Sequence, residues 1–413
     1  MGKTLKRMQE AASEIYDFLR SAITMDIEGR KYQTAELALR FMDSANKSKF
    51  KGERNNKVWN AIDKGITLGN MTPEYFFKNI KNEAMDRIWE GYKGSENRWG
   101  LEQKKASDFM NETAEKYGYK NWDTHKKYNV ETVNGPVQMD LEQLMALYVT
   151  WKREQTVGPE MSDHLQKGGF FVDEGDSRNH GRTKQDLKAH RMNADLMAKV
   201  EGMLTQEQKN YADAIVGFMS TDMSKLGNEA SMRMFGIRKF KEKYYFPIKT
   251  WEGVLNSSSD KGVRNTNTQD RAAQKGWTKR RKNKASNAIQ IGRFTDVAVQ
   301  HIAEMITYNT MAVAIENTNK MLNWQTDEGL TNDTTTRRNM RAVFRQQYGE
   351  NSYDYLAKFM QDMNGGVAPD SRGSIFDRLL TGFKKNAVAG SLSVAAQQPL
   401  SYIRAAMEIN PIY

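Results

Sequence analysis

The sequence predicts an all-α chain, an elongated multi-helix assembly with one small β-hairpin near 130–139. Three observations predict it. Apolar residues recur at three- and four-residue spacing along most of the 413 residues, the period of a helix face. Pro is scarce, at seven, and the good helix formers Ala, Glu, Lys, Met and Gln are common. An Asn-Gly pair between two short β-prone runs marks the exception. With 17 Phe, 17 Tyr, 8 Trp and 24 Met there is enough bulk for hydrophobic cores, which excludes a disordered chain.

Met8, Ala11, Ala12, Ile15, Phe18 and Leu19 share one face of a first helix. A second runs through Ala35, Leu37, Leu39 and Phe41, and a third surrounds Val58, Trp59 and Ile62. Thr72-Pro73-Glu74 starts another: a hydroxyl at the cap, Pro in the first position, an acid in the first turn. Tyr75, Phe76, Phe77, Ile80, Met85, Ile88 and Trp89 follow with core-facing spacing, and a further helix is expected over about 97–117.

The period then changes. Val130, Thr132 and Val133 lead into Asn134-Gly135, followed by Val137 and Met139. Pro136 must lie at an edge or outside the ladder. Asp140 with Gln143 forms a capping pair for a helix carrying Leu144, Met145, Leu147, Tyr148 and Trp151. Residues 158–184 are glycine-rich and loop-like. Thr205 with Gln208 caps a helix carrying Tyr211, Ala212, Ile215, Phe218 and Met219. Tyr244-Tyr245-Phe246-Pro247-Ile248 is extended, because the residue before Pro avoids the helical region.

One long helix is expected over about 286–324, with Phe294, Val297, Ala298, Ile302, Met305 and Tyr308 facing inward. Helices near 337–348 and 351–364 follow, and two more near 374–389 and 394–408. No repeat of fixed period is present. The pattern divides the chain into a helical domain at 1–127, a hairpin with central helices at 128–252, a basic loop at 253–285 and a long-helix bundle at 286–413.

Lys and Arg total 62 against 51 Asp and Glu, a net charge of +11 with a pI near 9.4. That balance fits a polyanionic partner. Cys is absent, which excludes a disulfide scaffold, thiolate zinc sites and cysteine catalysis. The opening residues show no secretory signal, and the abrupt end at Pro411-Ile412-Tyr413 suggests a fragment of something longer. Gly2-Lys3-Thr4 lacks the strand and first glycine of a phosphate loop. Ala387 to Ile403 is apolar but interrupted by Gln397, Gln398 and Pro399, so it reads as a packed hairpin and no membrane span is expected.

The nucleic-acid-binding candidates are Lys275, Trp277, Lys279, Arg280, Arg281, Lys282 and Lys284. Six cations within ten residues, with no acid between, can neutralise several phosphates, and an indole can stack on an exposed base. Arg264, Arg271 and Arg293 extend the cluster. A solvated loop that aids solubility is the other reading, and an acidic protein groove would suit the cluster as well. Asp173, Glu174, Asp176 and His180, with Asp163 and His164 upstream, include hard-metal ligand types. Their spacing fits no metal motif, so a solvated loop is expected there, with no metal and no cofactor. His301 sits between Val297 and Met305 and reads as a core histidine; His125 and His190 stand alone. Pro369-Asp370 opens a nuclease-like pattern that nothing completes. No catalytic residue set emerges. The aromatic runs at 75–77 and 244–246 read as core anchors.

Seven segments, in order, resemble the helical core module of the large polyvalent proteins of tailed phages and prophages. They are Met71 to Phe77, Met139 to Glu154, His164 to Gly169, Leu204 to Gln208, Tyr244 to Ile248, Gly292 to Trp324, and Ala387 to Ile403 with Gln397-Gln398-Pro399-Leu400-Ser401. Together they span nearly the whole chain. The resemblance implies a virion-associated or antirestriction-type protein with no catalytic motif in this module. The expectation that follows is a non-enzymatic protein acting by binding, in host takeover or defence evasion of the antirestriction or anti-CRISPR kind. Its partner would be nucleic acid or a host nucleoprotein, in the bacterial host cytoplasm, with delivery from the virion as one route. Two alternatives stand beside it: an internal virion or ejection protein that partners other virion proteins, and a metal-dependent nuclease using the acidic-His loop.

Overall fold

Helices dominate the computed structural model, and the capping chemistry explains where several of them start. The structure describes residues 23–47, 71–157, 164–172, 189–241, 244–247, 249–250, 288–326 and 338–363, with isolated positions at 13, 17 and 20. Among these, strands β1 (Thr24–Ile27) and β2 (Arg30–Gln33) lead into α1 (Thr34–Lys47), α2 (Pro73–Ile80) and α3 (Glu83–Lys116). Strands β3 (Lys127–Val130) and β4 (Val137–Asp140) precede α4 (Leu141–Val157). Then come β5 (Phe170–Val172), α5 (Ala194–Met203), α6 (Gln206–Phe218) and α7 (Ser224–Phe235). Strands β6 (Lys249–Thr250) and β7 (Ile289–Ile291) lead to α8 (Phe294–Asn323). Strands β8 (Gln325–Thr326) and β9 (Arg338–Asn339) precede α9 (Met340–Tyr348) and α10 (Glu350–Met363). The all-α reading holds, and the hairpin at 130–139 is present, pairing Val130 with Val137 and Lys127 with Asp140.

The predicted caps form. Thr72 accepts from the Tyr75 N–H at 3.3 Å. Asp140 and Gln143 exchange hydrogen bonds of 2.9 Å each way, and Thr205 with Gln208 closes a full capping box. Each satisfies N–H groups that a helix start leaves without partners.

Three differences from the expected elements have local causes. The N-terminal third contains a β-hairpin: Glu28 and Gly29 both take positive φ, 48° and 79°, which suits the tight turn that strand twist favours. The helix expected over 97–117 is the second half of α3, which runs for 34 residues. Its true start is Asn82, after a left-handed Lys81 ends α2. Asn82 Oδ1 accepts from Ala84 and Met85, while its Nδ2 donates to the Phe41 carbonyl at 3.0 Å and the Tyr348 hydroxyl at 2.9 Å. One buried side chain thus caps α3 and ties it to α1 and α9. The long helix begins at Phe294 rather than 286, because residues 289–291 form β7, the centre of a three-stranded sheet. β5 pairs with β7 in parallel and β6 pairs with it antiparallel. The helices expected near 58–62, 374–389 and 394–408 fall outside the described residues, and of the one expected near 8–19 only Ser13 and Asp17 are described, both helical.

Two large hydrophobic clusters organise the packing. One gathers α4, α5, α6, the hairpin β3–β4, the end of α3 and the start of α8. The other gathers β1, α1, α2, the start of α3, the end of α8, α9 and α10. α3 and α8 run antiparallel through both. Their register is set by two polar contacts, Tyr92 hydroxyl to Thr318 hydroxyl at 3.2 Å and Trp99 Nε1 to Thr307 Oγ1 at 3.3 Å. Twenty of the thirty α8 residues are buried, so this helix is a central pillar rather than an amphipathic surface element. The aromatic runs are core anchors as expected: Phe76, Phe77 and Phe246 are buried, and Phe77 stacks on Trp89 at 4.9 Å.

Candidate functional site

The predicted nucleic-acid residues Lys275, Trp277, Lys279, Arg280, Arg281, Lys282 and Lys284 lie outside the described residues, as do Arg264 and Arg271. The structure does define the two roots of that segment. Lys249 pairs with Gln290 and Thr250 with Ile289, so residues 251–288 leave and return at neighbouring strands. Both roots are held. Before β6, Tyr244 donates to Asp213 Oδ1 at 2.9 Å and the Tyr245 N–H donates to Ser220 Oγ at 2.8 Å. Phe246 stacks on Phe294, the first residue of α8, at 5.4 Å and 14°. After the segment, the Ile289 N–H donates to the Gly169 carbonyl at 3.0 Å.

Arg293 belongs to the described residues, and its environment differs from an open extension of the basic cluster. β7 ends two residues earlier and delivers Arg293 to the cap position of α8. Its guanidinium lies 3.4 Å from Asp140 Oδ2, 3.4 Å from Thr124 Oγ1 and 3.0 Å from His125 Nδ1. The Arg293 side chain does not cap its own helix. Glu142, in the first turn of α4, does so from outside. Its Oε2 accepts from the Thr295 N–H at 2.7 Å, and its Oε1 accepts from the Thr295 hydroxyl at 3.1 Å and the Tyr119 hydroxyl at 2.6 Å. Burial pushes the Glu142 carboxyl above its ordinary range, opposed by those donors and by Arg293. Burial also pushes the hydroxyls of Tyr119 and Tyr211 up, with the Glu142 charge adding to it. A buried acid with three donors fixes geometry. It ties the first turn of α4 to the first turn of α8.

A second polar group holds the other root. Asp213 of α6 accepts from Tyr244, from Tyr148 at 3.1 Å and from Lys152 at 2.6 Å. The Lys152 ammonium also sits 5.5 Å and 5.8 Å from the ring centroids of Tyr148 and Tyr244, a cation–π arrangement.

The acidic-His residues Asp163, Asp173, Glu174, Asp176 and His180 are outside the described residues, as is Pro369-Asp370. His164 opens a short π-helical turn, within which the Leu165 N–H donates to the buried Glu154 at 3.3 Å. Among the described residues no group of three or more His, Asp or Glu side chains gathers as a metal site would. His301 is buried in α8 beside the Tyr245 ring at 5.1 Å, and burial pulls its pKa down to about 3. His190 Nδ1 lies 3.1 Å from the Thr132 hydroxyl. No helix among the described residues is long and apolar enough to cross a membrane.

Glu142, Asp213 and their tyrosines carry no local motif. Their partners are 23 to 153 residues away, and only the three-dimensional arrangement joins them. No family model, curated protein or solved structure matches the chain.

Proposed function

We propose that this chain is a non-enzymatic protein that acts by binding, contacting nucleic acid or a host nucleoprotein through the segment carrying Lys275, Trp277, Lys279, Arg280, Arg281, Lys282 and Lys284. The observation that carries the reading is charge concentration in a segment whose two ends sit on adjacent strands. Residues 251–288 hold nine Lys and Arg against three Asp and Glu, more than half of the chain's net +11. They depart from and return to adjacent strands of one sheet. Cations on a segment rooted at both ends lose less freedom on binding than cations on a free tail. The ordered likeness to phage polyvalent proteins supports the setting: host takeover or defence evasion in the bacterial cytoplasm, with entry alongside phage DNA. The same likeness supports an internal virion protein, and detection in purified particles by mass spectrometry would favour that role.

Fluorescence anisotropy with labelled single- and double-stranded oligonucleotides across a salt series tests the reading. Wild type is compared with Lys279→Ala, Arg280→Ala, Arg281→Ala and Lys282→Ala combined. Removing four phosphate contacts lowers the salt slope by about 3 to 4. Equal slopes in the two proteins would remove the segment from function.

A further inference from the structure

We infer that Lys239 is a covalent modification site: its ε-amine, held over the Phe235 ring just past the end of α7, takes an acyl group from a small acyl phosphate. The inference is independent of the nucleic-acid reading above.

The backbone fixes the amine from both sides. Gly236 ends α7 in the left-handed conformation, at φ 68°, and its N–H donates to the Met232 carbonyl at 3.0 Å. Further on, Asn228 of α7 clamps Phe240. Its Oδ1 accepts from the Phe240 N–H at 2.9 Å, and its Nδ2 donates to the Phe240 carbonyl at 2.8 Å. The Phe240 ring lies so close to Gly227 that a Cβ there would stand 2.6 Å from it. The same ring meets Tyr308 of α8 edge-on, at 6.0 Å. Lys239 is the residue before that clamp. Its Nζ sits 3.3 Å from the Phe235 ring centroid, and its side chain is partly exposed.

What sets this amine apart is its lack of an acceptor. Other lysines are tied: Lys105 to Glu102 at 2.7 Å, Lys152 to Asp213 at 2.6 Å and Lys199 to Glu131 at 2.8 Å. Lys320 of α8 is also pulled down by burial, but it donates to the Thr24 and Met234 carbonyls at 3.1 Å each. Lys239 donates to no side chain or carbonyl among the described residues. A ring face attracts an ammonium but replaces none of its three hydrogen bonds to water. Burial lowers the Lys239 pKa to about 8, with Glu316 of α8 opposing. Arg238 and Lys241 flank it in sequence, and Lys320 reaches the end of α7 at the Met234 carbonyl; all three are like charges, which disfavour the ammonium. The site therefore holds a neutral nitrogen better than a charged one, and the neutral amine is the nucleophile.

The Nζ lone pair attacks the carbonyl carbon of the acyl phosphate. The C–N bond forms, the C–O bond to the phosphate breaks, phosphate departs with that electron pair, and the nitrogen sheds its proton to water. At about pH 8 half of Lys239 is free amine, against about 0.4% of an ordinary lysine, a gain of about 125-fold. A less basic nitrogen is a weaker nucleophile, and a dependence of about 0.4–0.5 per pKa unit takes back about 9- to 16-fold. The net lead is roughly tenfold.

The test treats the full chain with acetyl phosphate between about pH 7 and 10, at low conversion. Mass spectrometry of chymotryptic peptides reads the rate at each lysine. Lys93 on α3 and Lys358 on α10, both exposed, are the internal comparison. At about pH 8 Lys239 should acylate roughly tenfold faster than either, and its rate should level off above about pH 9. Phe235→Ala admits water to the amine and should cut that lead to within about threefold, in a protein whose circular dichroism is unchanged. A Lys239 rate no higher than those of Lys93 and Lys358 overturns the inference. So does a rate that still rises tenfold per unit between about pH 9 and 10, or a lead that a folded Phe235→Ala variant retains in full.

Discussion

Lowering the pH should unfold this protein through His301 in a way that a single substitution abolishes. His301 is buried in the middle of the first α8 turns, against Tyr245, and burial lowers its pKa from about 6.5 to about 3. Between those values the unfolded chain binds a proton that the folded chain does not. Stability is therefore full above about pH 6.5 and falls as pH falls, at about 1.4 kcal/mol per pH unit. At about pH 5.5 the loss from this one group is about 1.3 kcal/mol relative to neutral pH. Urea unfolding followed by tryptophan fluorescence, run at about pH 7.5 and 5.5, measures it. His301→Leu keeps an apolar side chain in the site and removes the titration. The stability difference between variant and wild type should move by about 1.3 kcal/mol in the variant's favour on acidification. Every other titrating group is common to both proteins and cancels. Parallel pH profiles would show that His301 is protonated as easily folded as unfolded, and the burial argument would fail.

Asn82→Ala should cost about 2–3 kcal/mol in the same urea assay, with an unchanged m-value, because it removes the α3 cap and strands the buried Phe41 carbonyl. A loss below about 0.5 kcal/mol would mean that water replaces the side chain. Glu142→Ala should cost about 3 kcal/mol, by leaving the Thr295 N–H and the Tyr119 hydroxyl without their acceptor, and Glu142→Gln about 1 kcal/mol, since an acceptor oxygen remains. Equal losses in thermal melts of the two variants would place the stabilisation in the charge rather than in the cap.

The parts of the fold legible in the sequence are those whose cause lies within a few residues. Thr72, Asp140 with Gln143, and Thr205 with Gln208 announce helix starts because a cap is a contact over three positions. The hairpin around Asn134-Gly135 was legible for the same reason. The β1–β2 hairpin was not, because its Glu28-Gly29 turn lacks the usual Asn or Asp and its strands are four residues each. The break at Lys81 was hidden because the apolar spacing of α2 runs on into α3 without a gap. β7 was absorbed into the expected long helix, because Ile289 and Ile291 suit either state and only pairing with Phe170 and Lys249, more than a hundred and about forty residues away, decides for strand. At the site, the basic segment is legible as charge. Its rooting is not, since Glu142, Asp213, Tyr244 and Arg293 act through partners distant in sequence. Arg293 shows the limit most clearly. By composition it extends the basic cluster; by contact it belongs to Asp140, Thr124 and His125.

The claim at the centre of this account is that the segment rooted at β6 and β7 meets a nucleic acid. Photocrosslinking of a bound oligonucleotide, with the adducts mapped by mass spectrometry, tests it directly. The account predicts adducts on the peptides carrying Trp277 and Lys279 to Lys284, fading as salt is raised. Adducts confined to peptides elsewhere in the chain, on a protein that binds the same oligonucleotide, would contradict it.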